Sequence, residues 1–281
     1  MVFTTLISTG ELAARLADPA FLLIDCRFTL GDVGWGRREY LARHIPGAVY
    51  AHLDDDLSGP KTGRNGRHPL PEPQILAGTF GRLGITSGTQ VVAYDQDTGM
   101  FASRLWWLLR WLGHDAVAVL DGGVAKWTGE ARPVASGDER RDPRNFRAAL
   151  RGDAIADADE IGGRLHQPGW RLLDARAPER YRGEVEPVDA VAGHIPGAAN
   201  HYFQNDLGAN GTFRSPGELR AQLSAAVGDV PPDQVVCSCG SGVSACHTLL
   251  ALEHAGLPGA RLYPGSWSEW SSDPSRPIEK G

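Results

Sequence analysis

Long apolar runs are missing from this 281-residue sequence, and none approaches the roughly 18 residues that a membrane span requires. The opening MVFTTLISTGELAARL has neither the basic stretch nor the apolar stretch of a secretory leader. A soluble, cytoplasmic protein is the expectation. Cysteine is scarce: four residues (Cys26, Cys237, Cys239, Cys246) in a chain this long do not make a disulfide framework, and reduced thiols are expected. Positive charge is scarce where a nucleic-acid reader would need it. Residues 1–152 carry 18 Lys+Arg against 17 Asp+Glu, a net of +1, while residues 153–281 carry 10 against 17, a net of −7. No basic stripe supplies the phosphate-neutralising term, so nucleic acid is excluded as a partner. A small anion would also gain nothing from the field of the acidic half and must be held by individual donors.

What is present is internal repetition. LLIDCR (Leu22 to Arg27) returns as LLDAR (Leu172 to Arg176), HIPGA at His44 returns at His194, and LDGGVAKW (Leu120 to Trp127) is echoed by LYPGSWSEW ending at Trp270. Each half alternates short apolar runs with helical patterns such as SRLWWLLRWLG (from Ser103) and ELRAQLSAAVG (from Glu218). That alternation predicts two α/β domains with largely parallel sheets. The charged stretch ASGDERRDPRNFRAALRGD lacks apolar periodicity and reads as a linker over 135–153, between domains over 1–134 and 154–281.

The most informative stretch is VVCSCGSGVSA, Val235 to Ala245. An apolar run stops at Cys239, glycines and serines follow, and a helical pattern (ACHTLLALEHAG) begins at once. The thiol therefore sits at a strand-to-helix turn. There the backbone N–H groups of Gly240, Ser241, Gly242, Val243 and Ser244, with the positive helix end, would favour an ionised sulfur and cradle an anion. Aligning the repeat sets VVAYD against VVCSC and puts Asp95 opposite Cys239, so only one of the two loops can carry a nucleophile. A metal site from Cys237, Cys239, Cys246 and His247 is disfavoured because the spacing matches no common zinc pattern. A cysteine phosphatase is disfavoured because Ala245 stands where the loop arginine would be.

These motifs, CGSGVSA, the paired HIPGA segments and LYPGSWSEW, resemble the two-domain rhodanese superfamily of sulfurtransferases, most closely its 3-mercaptopyruvate sulfurtransferases. The resemblance runs from about Leu12 to Glu279. It implies tandem rhodanese-like domains and a first domain without catalytic activity. It also implies transfer of sulfane sulfur through a Cys239 persulfide to a thiol such as that of thioredoxin, or to cyanide, with no cofactor and no metal. The small anionic sulfur donor would be 3-mercaptopyruvate, because Gly240 and Ser241 are neutral where thiosulfate-using members carry basic residues. Thiosulfate as donor, or a persulfide carrier without turnover, are the alternatives. By the same resemblance APERYRGEVEP supplies Arg180, with Arg182 as a second candidate, to bind the substrate carboxylate. A further arginine found in some members is replaced here by Val188. Ser241 would work with a histidine matched to His68 in RHPLP, and an aspartate matched by Asp54 or displaced by His52. The HIPGA histidines, His44 and His194, read as structural, since His44 recurs in the half that has no cysteine.

Overall fold

The computed structural model describes residues 2–281, which form two compact units. The first comprises the chain up to Gly59, Pro71–Arg151 and Ala209–Phe213; the second comprises Pro60–Leu70, Gly152–Gly208 and Arg214–Gly281. Each unit thus takes in one short segment from the other half of the sequence.

In the first unit, β1 (Leu6–Ile7), β2 (Phe21–Asp25), β3 (Val49–Tyr50), β4 (Gln90–Tyr94) and β5 (Val117–Leu120) form a sheet of order β1-β5-β4-β2-β3, parallel throughout. Strands β2, β4 and β5 are buried along their full length, as continuous apolar runs covered by helices on both faces should be. The helix Met100–Trp111 is buried almost all round, and Trp106, Trp107 and Trp111 are core residues. Residues 135–151, read from the sequence as linker, lie along this unit. Ala135 exchanges backbone bonds with His44, Arg144 N–H reaches Gly81 O at 2.8 Å, and Arg151 N–H reaches Trp111 O at 2.9 Å. Phe146 packs edge-on against Phe80. An extended strap has no period to betray it; backbone bonds and one aromatic anchor fix it.

In the second unit, β6 (Arg171–Asp174), β7 (Ala199–Asn200), β8 (Val235–Ser238) and β9 (Arg261–Leu262) form a parallel sheet of order β7-β6-β8-β9, extended by a parallel bridge from Ile155 to Leu262. Asp25 is in register with Tyr94, and Asp174 with Ser238. The next residues, Asp95 and Cys239, are therefore equivalent in the repeat. Each also accepts a backbone bond in the same manner, Asp95 O from Val124 N–H and Cys239 O from Trp267 N–H. Both HIPGA histidines do the same structural job: His44 stacks on Tyr40 and bonds its carbonyl, and His194 does so with Tyr181. Among the described residues no helix is long and apolar enough to cross a membrane.

Candidate active site

Cys239 follows β8 directly and is 2% exposed. Its backbone N–H donates to Ser266 Oγ at 3.1 Å, and Ser266 Oγ donates to Tyr263 O at 2.8 Å. Ser266 holds φ 53, a left-handed conformation unusual for a residue with a side chain, while its counterpart Gly123 reaches φ 57 without that cost. The serine is kept because its hydroxyl braces the cysteine backbone; nothing in the sequence distinguishes it from an ordinary helix-start serine.

The cradle expected from Gly240 to Ser244 is built chiefly on Gly242, whose N–H donates to Cys239 Sγ at 3.1 Å. Gly242 lies at φ 74, and a Cβ there would sit 2.4 Å from Pro264 O, so the turn needs glycine. Val243 caps the helix Ser244–His254, and its carbonyl accepts from Cys246 N–H. Cys237, two residues before Cys239, is fully buried, and burial pushes its thiol far up, with the charges of Cys246 and Asp206 adding to the shift.

The first unit fills the equivalent loop from within. Asp95 Oδ1 accepts N–H groups of Asp97 and Gly99, and Oδ2 those of Phe101 and Ala102, at 2.8–3.3 Å. Its burial pushes the carboxyl up, opposed by those backbone donors.

Segment 60–70 of the second unit carries two residues to the loop. Gly66, at φ 82, approaches so closely that a Cβ would sit 2.9 Å from Gly265 O, and Arg67 N–H bonds Ser268 Oγ at 3.1 Å. Thus anchored, His68 is buried with Nδ1 2.7 Å from Ser241 Oγ. The two residues matched by resemblance do meet. Asp54 belongs to the first unit, beside His52 and Arg37 in an open cavity of that unit.

Arg180 comes from the short helix Pro178–Tyr181, and its Nη atoms lie 3.7 and 3.8 Å from where a Cβ on Gly240 would be. Arg67 is nearer that point, its Nη2 at 2.8 Å. Acidic side chains hold both: Arg180 Nη2 donates to Glu186 Oε1 at 2.6 Å and to Asp189 Oδ2 at 3.3 Å, while Arg67 Nη1 pairs with Asp189 Oδ1. Burial pushes Glu186 up, but N–H groups of Asp189 and Val188 and the Arg180 guanidinium outweigh it and hold the carboxyl below its ordinary value. Burial leads the opposite outcome at Asp189, which is raised despite its arginines. Arg182 does not join them. It stands 42% exposed and forks onto Glu184 at 2.7 and 2.9 Å, because two residues along this single helical turn point it to solvent. Behind the arginines, buried Arg176 forks onto Asp174, bonds Gly193 O and lies over Trp267. Arg27 and Asp25 repeat this pair in the first unit, which marks it as a strut of the fold.

The Rhodanese-like domain model matches residues 8–130 and 157–273, and the chain belongs to that family. A probable 3-mercaptopyruvate sulfurtransferase of Pseudomonas aeruginosa is 48% identical, covering 98% of each chain. A putative thiosulfate sulfurtransferase of Mycobacterium tuberculosis is 42% identical over 98% of this chain and 97% of its own. Among solved structures, a 3-mercaptopyruvate sulfurtransferase from Leishmania major superposes with a TM-score of 0.83 at 30% identity, covering 95% of this chain and 74% of that one.

Proposed function

We propose that the protein is a 3-mercaptopyruvate sulfurtransferase that carries sulfur on Cys239. The observation that bears most on this reading is the Ser241–His68 hydrogen bond of 2.7 Å directly beside the cysteine, in a loop whose residues after Cys239 are neutral. The Cys239 thiolate attacks the donor sulfur, the C–S bond breaks, and its electron pair leaves on pyruvate as the enolate, which takes up a proton to give pyruvate. Ser241 and His68 form a relay within reach of the ketone end and hold that proton. The guanidinium of Arg180 binds the donor carboxylate with two parallel N–H bonds. An acceptor thiolate, such as that of thioredoxin, or cyanide then attacks the outer sulfur of the persulfide and releases Cys239 as thiolate. Asp95 leaves the first unit without a nucleophile, so the chemistry falls to Cys239 of the second. Reduced thiols fit a cytoplasmic setting.

Thiosulfate is the rival donor, favoured by the similarity to the M. tuberculosis protein. The deciding measurement is kcat/KM for 3-mercaptopyruvate and for thiosulfate, with cyanide as acceptor, for the protein and for Cys239→Ser. A preference of about tenfold or more for mercaptopyruvate, with the serine variant inactive, is expected. An active serine variant overturns the mechanism; a preference for thiosulfate overturns the donor.

A further inference from the structure

The stretch 183–193 leaves and rejoins the second unit at one place: a Cβ on Gly183 would lie 3.0 Å from Gly193 N, and the two glycines take φ 74 and φ 130. Surface loops with meeting ends are held by their own side chains. Here Val185 and Val188 stand exposed, whereas Glu186 and Asp189 turn inward, their side chains 4% and 6% exposed. We infer that Asp189 is a built-in competitor of the donor: its carboxylate occupies guanidinium bonds of Arg180 and Arg67, and an anionic donor binds by displacing it. Asp189 thereby sets how strong an anion the enzyme takes up. The inference rests on the reading of Arg180 as the partner of the donor carboxylate.

Three observations carry it. First, the two inward carboxylates are held differently. Glu186 Oε1 accepts the N–H groups of Val188 and Asp189, both at 3.0 Å, besides Arg180 Nη2 at 2.6 Å, so Glu186 belongs to the turn itself. Asp189 gives Oδ2 to Arg180 Nη2 at 3.3 Å and Oδ1 to Arg67 Nη1, with no backbone donor among the described residues. It can rotate away without breaking a backbone bond. Second, the cluster is neutral with Asp189 in place: Arg67, Arg180 and Arg176 face Asp189, Glu186 and Asp174, three charges against three. Residues 153–281 sum to −7, so an incoming anion meets no net attraction from a neutral cluster there. Swung into solvent, Asp189 is screened, and the cluster keeps one positive charge in excess, the complement of a single carboxylate. Third, burial raises the Asp189 carboxyl in spite of both arginines, whereas Glu186 is lowered on balance. The ionised Asp189 is thus held less well in place than in water, and it regains hydration when it swings out.

The test compares alkylation of Cys239 by iodoacetate, which carries a carboxylate, with alkylation by iodoacetamide, which does not, each site-mapped by mass spectrometry. Asp189→Asn keeps the shape and one acceptor oxygen but no charge. It is expected to raise the iodoacetate-to-iodoacetamide rate ratio about three- to tenfold and to lower KM for 3-mercaptopyruvate by a similar factor, with kcat within about twofold, as trading a charged hydrogen bond for a neutral one predicts. A residue that merely positioned the arginines would move both readouts the other way. A ratio that falls or stays unchanged, with KM raised or unchanged, therefore overturns the inference. Glu184→Gln removes the same charge from the same stretch, at a side chain 55% exposed and paired with Arg182, and should match the unaltered protein. An equal rise in that variant also overturns the inference, because the general field would then account for both. If Asp189→Asn does not fold, Asp189→Ser decides by the same signs. A ratio that rises in Asp189→Asn when the protein does not turn over mercaptopyruvate upholds the competitor and defeats the donor reading instead.

Discussion

Gly242→Ala separates the nucleophile from everything that binds its substrate. The added methyl would meet Pro264 O at 2.4 Å and Pro264 Cα at 3.0 Å, both backbone atoms that cannot swing aside. Alanine at φ 74 costs a further ~1–2 kcal/mol. The turn must therefore open, and the 3.1 Å bond from Gly242 N–H to Cys239 Sγ goes with it. A hydrogen bond to a charged group contributes about 1.5–3 kcal/mol, so attack by Cys239 should slow roughly 10- to 150-fold. The contrast is Gly240→Ala, two residues earlier. Its methyl meets only the flexible ends of two side chains, Arg67 closely and Arg180 in ordinary contact, so the backbone stays and Arg67 shifts. Alkylation by iodoacetamide, which carries no charge, reads the nucleophile alone: Gly242→Ala should be slow and Gly240→Ala close to normal. With 3-mercaptopyruvate the first variant loses kcat and the second gains KM. If Gly242→Ala reacts with iodoacetamide within about twofold of the unaltered protein while remaining folded, the backbone cradle is not what sustains the nucleophile.

Three further substitutions, at two positions, test the scaffold of the second unit. Ser266→Ala orphans the Cys239 N–H and keeps the left-handed strain, costing about 1–3 kcal/mol, whereas Ser266→Gly loses the same bond but relieves roughly 1 kcal/mol of strain; urea unfolding should rank the glycine variant between alanine and serine. A glycine variant less stable than alanine would refute that account. Burial pushes the Asp206 carboxyl up, but His201 at 2.8 Å and His247 at 3.6 Å outweigh it and hold it below the ordinary 3.8. A lowered folded value means stability present above 3.8 and lost as pH falls through the folded value. Asp206→Asn should therefore cost about 3–5 kcal/mol at pH 7, a deficit that shrinks below about pH 4, measured by urea titration at both pH values. A deficit independent of pH would mean that packing, not charge, holds Asp206.

The strand-to-helix turn at Cys239 was legible because every cue is local: an apolar run, a cysteine, glycines and a helix within eleven residues. The repeat was legible too: the sheet registers set Asp25 beside Tyr94 and Asp174 beside Ser238, one residue before Asp95 and Cys239. Arg180 and Arg182 were indistinguishable as letters; only the helical turn that carries them sends one to Gly240 and the other to Glu184. Arg67 was one of three cations, with Lys61 and Arg64, on a Gly-rich loop; Asp189 and Ser266 were harder still. Each reaches the loop from a separate segment, and segment 60–70 joins the second unit only through contacts more than a hundred residues distant in sequence, such as Arg67 to Ser268. The strap over 135–151 escaped for another reason, since its order comes from backbone bonds that composition does not encode.

The same turn has thus been resolved in two ways within one chain. In the first unit a carboxylate takes four backbone N–H groups, and the loop's donors are consumed by the protein itself. In the second, a loop of the same length brings one N–H to a sulfur and leaves the space above Gly240 to two arginines from elsewhere. A buried loop lined with inward N–H groups needs an anion or a strong acceptor, since unpaired donors there cost about 1–3 kcal/mol each. Asp95 meets that need with its own carboxylate. Cys239 accepts one such N–H, that of Gly242, at 3.1 Å.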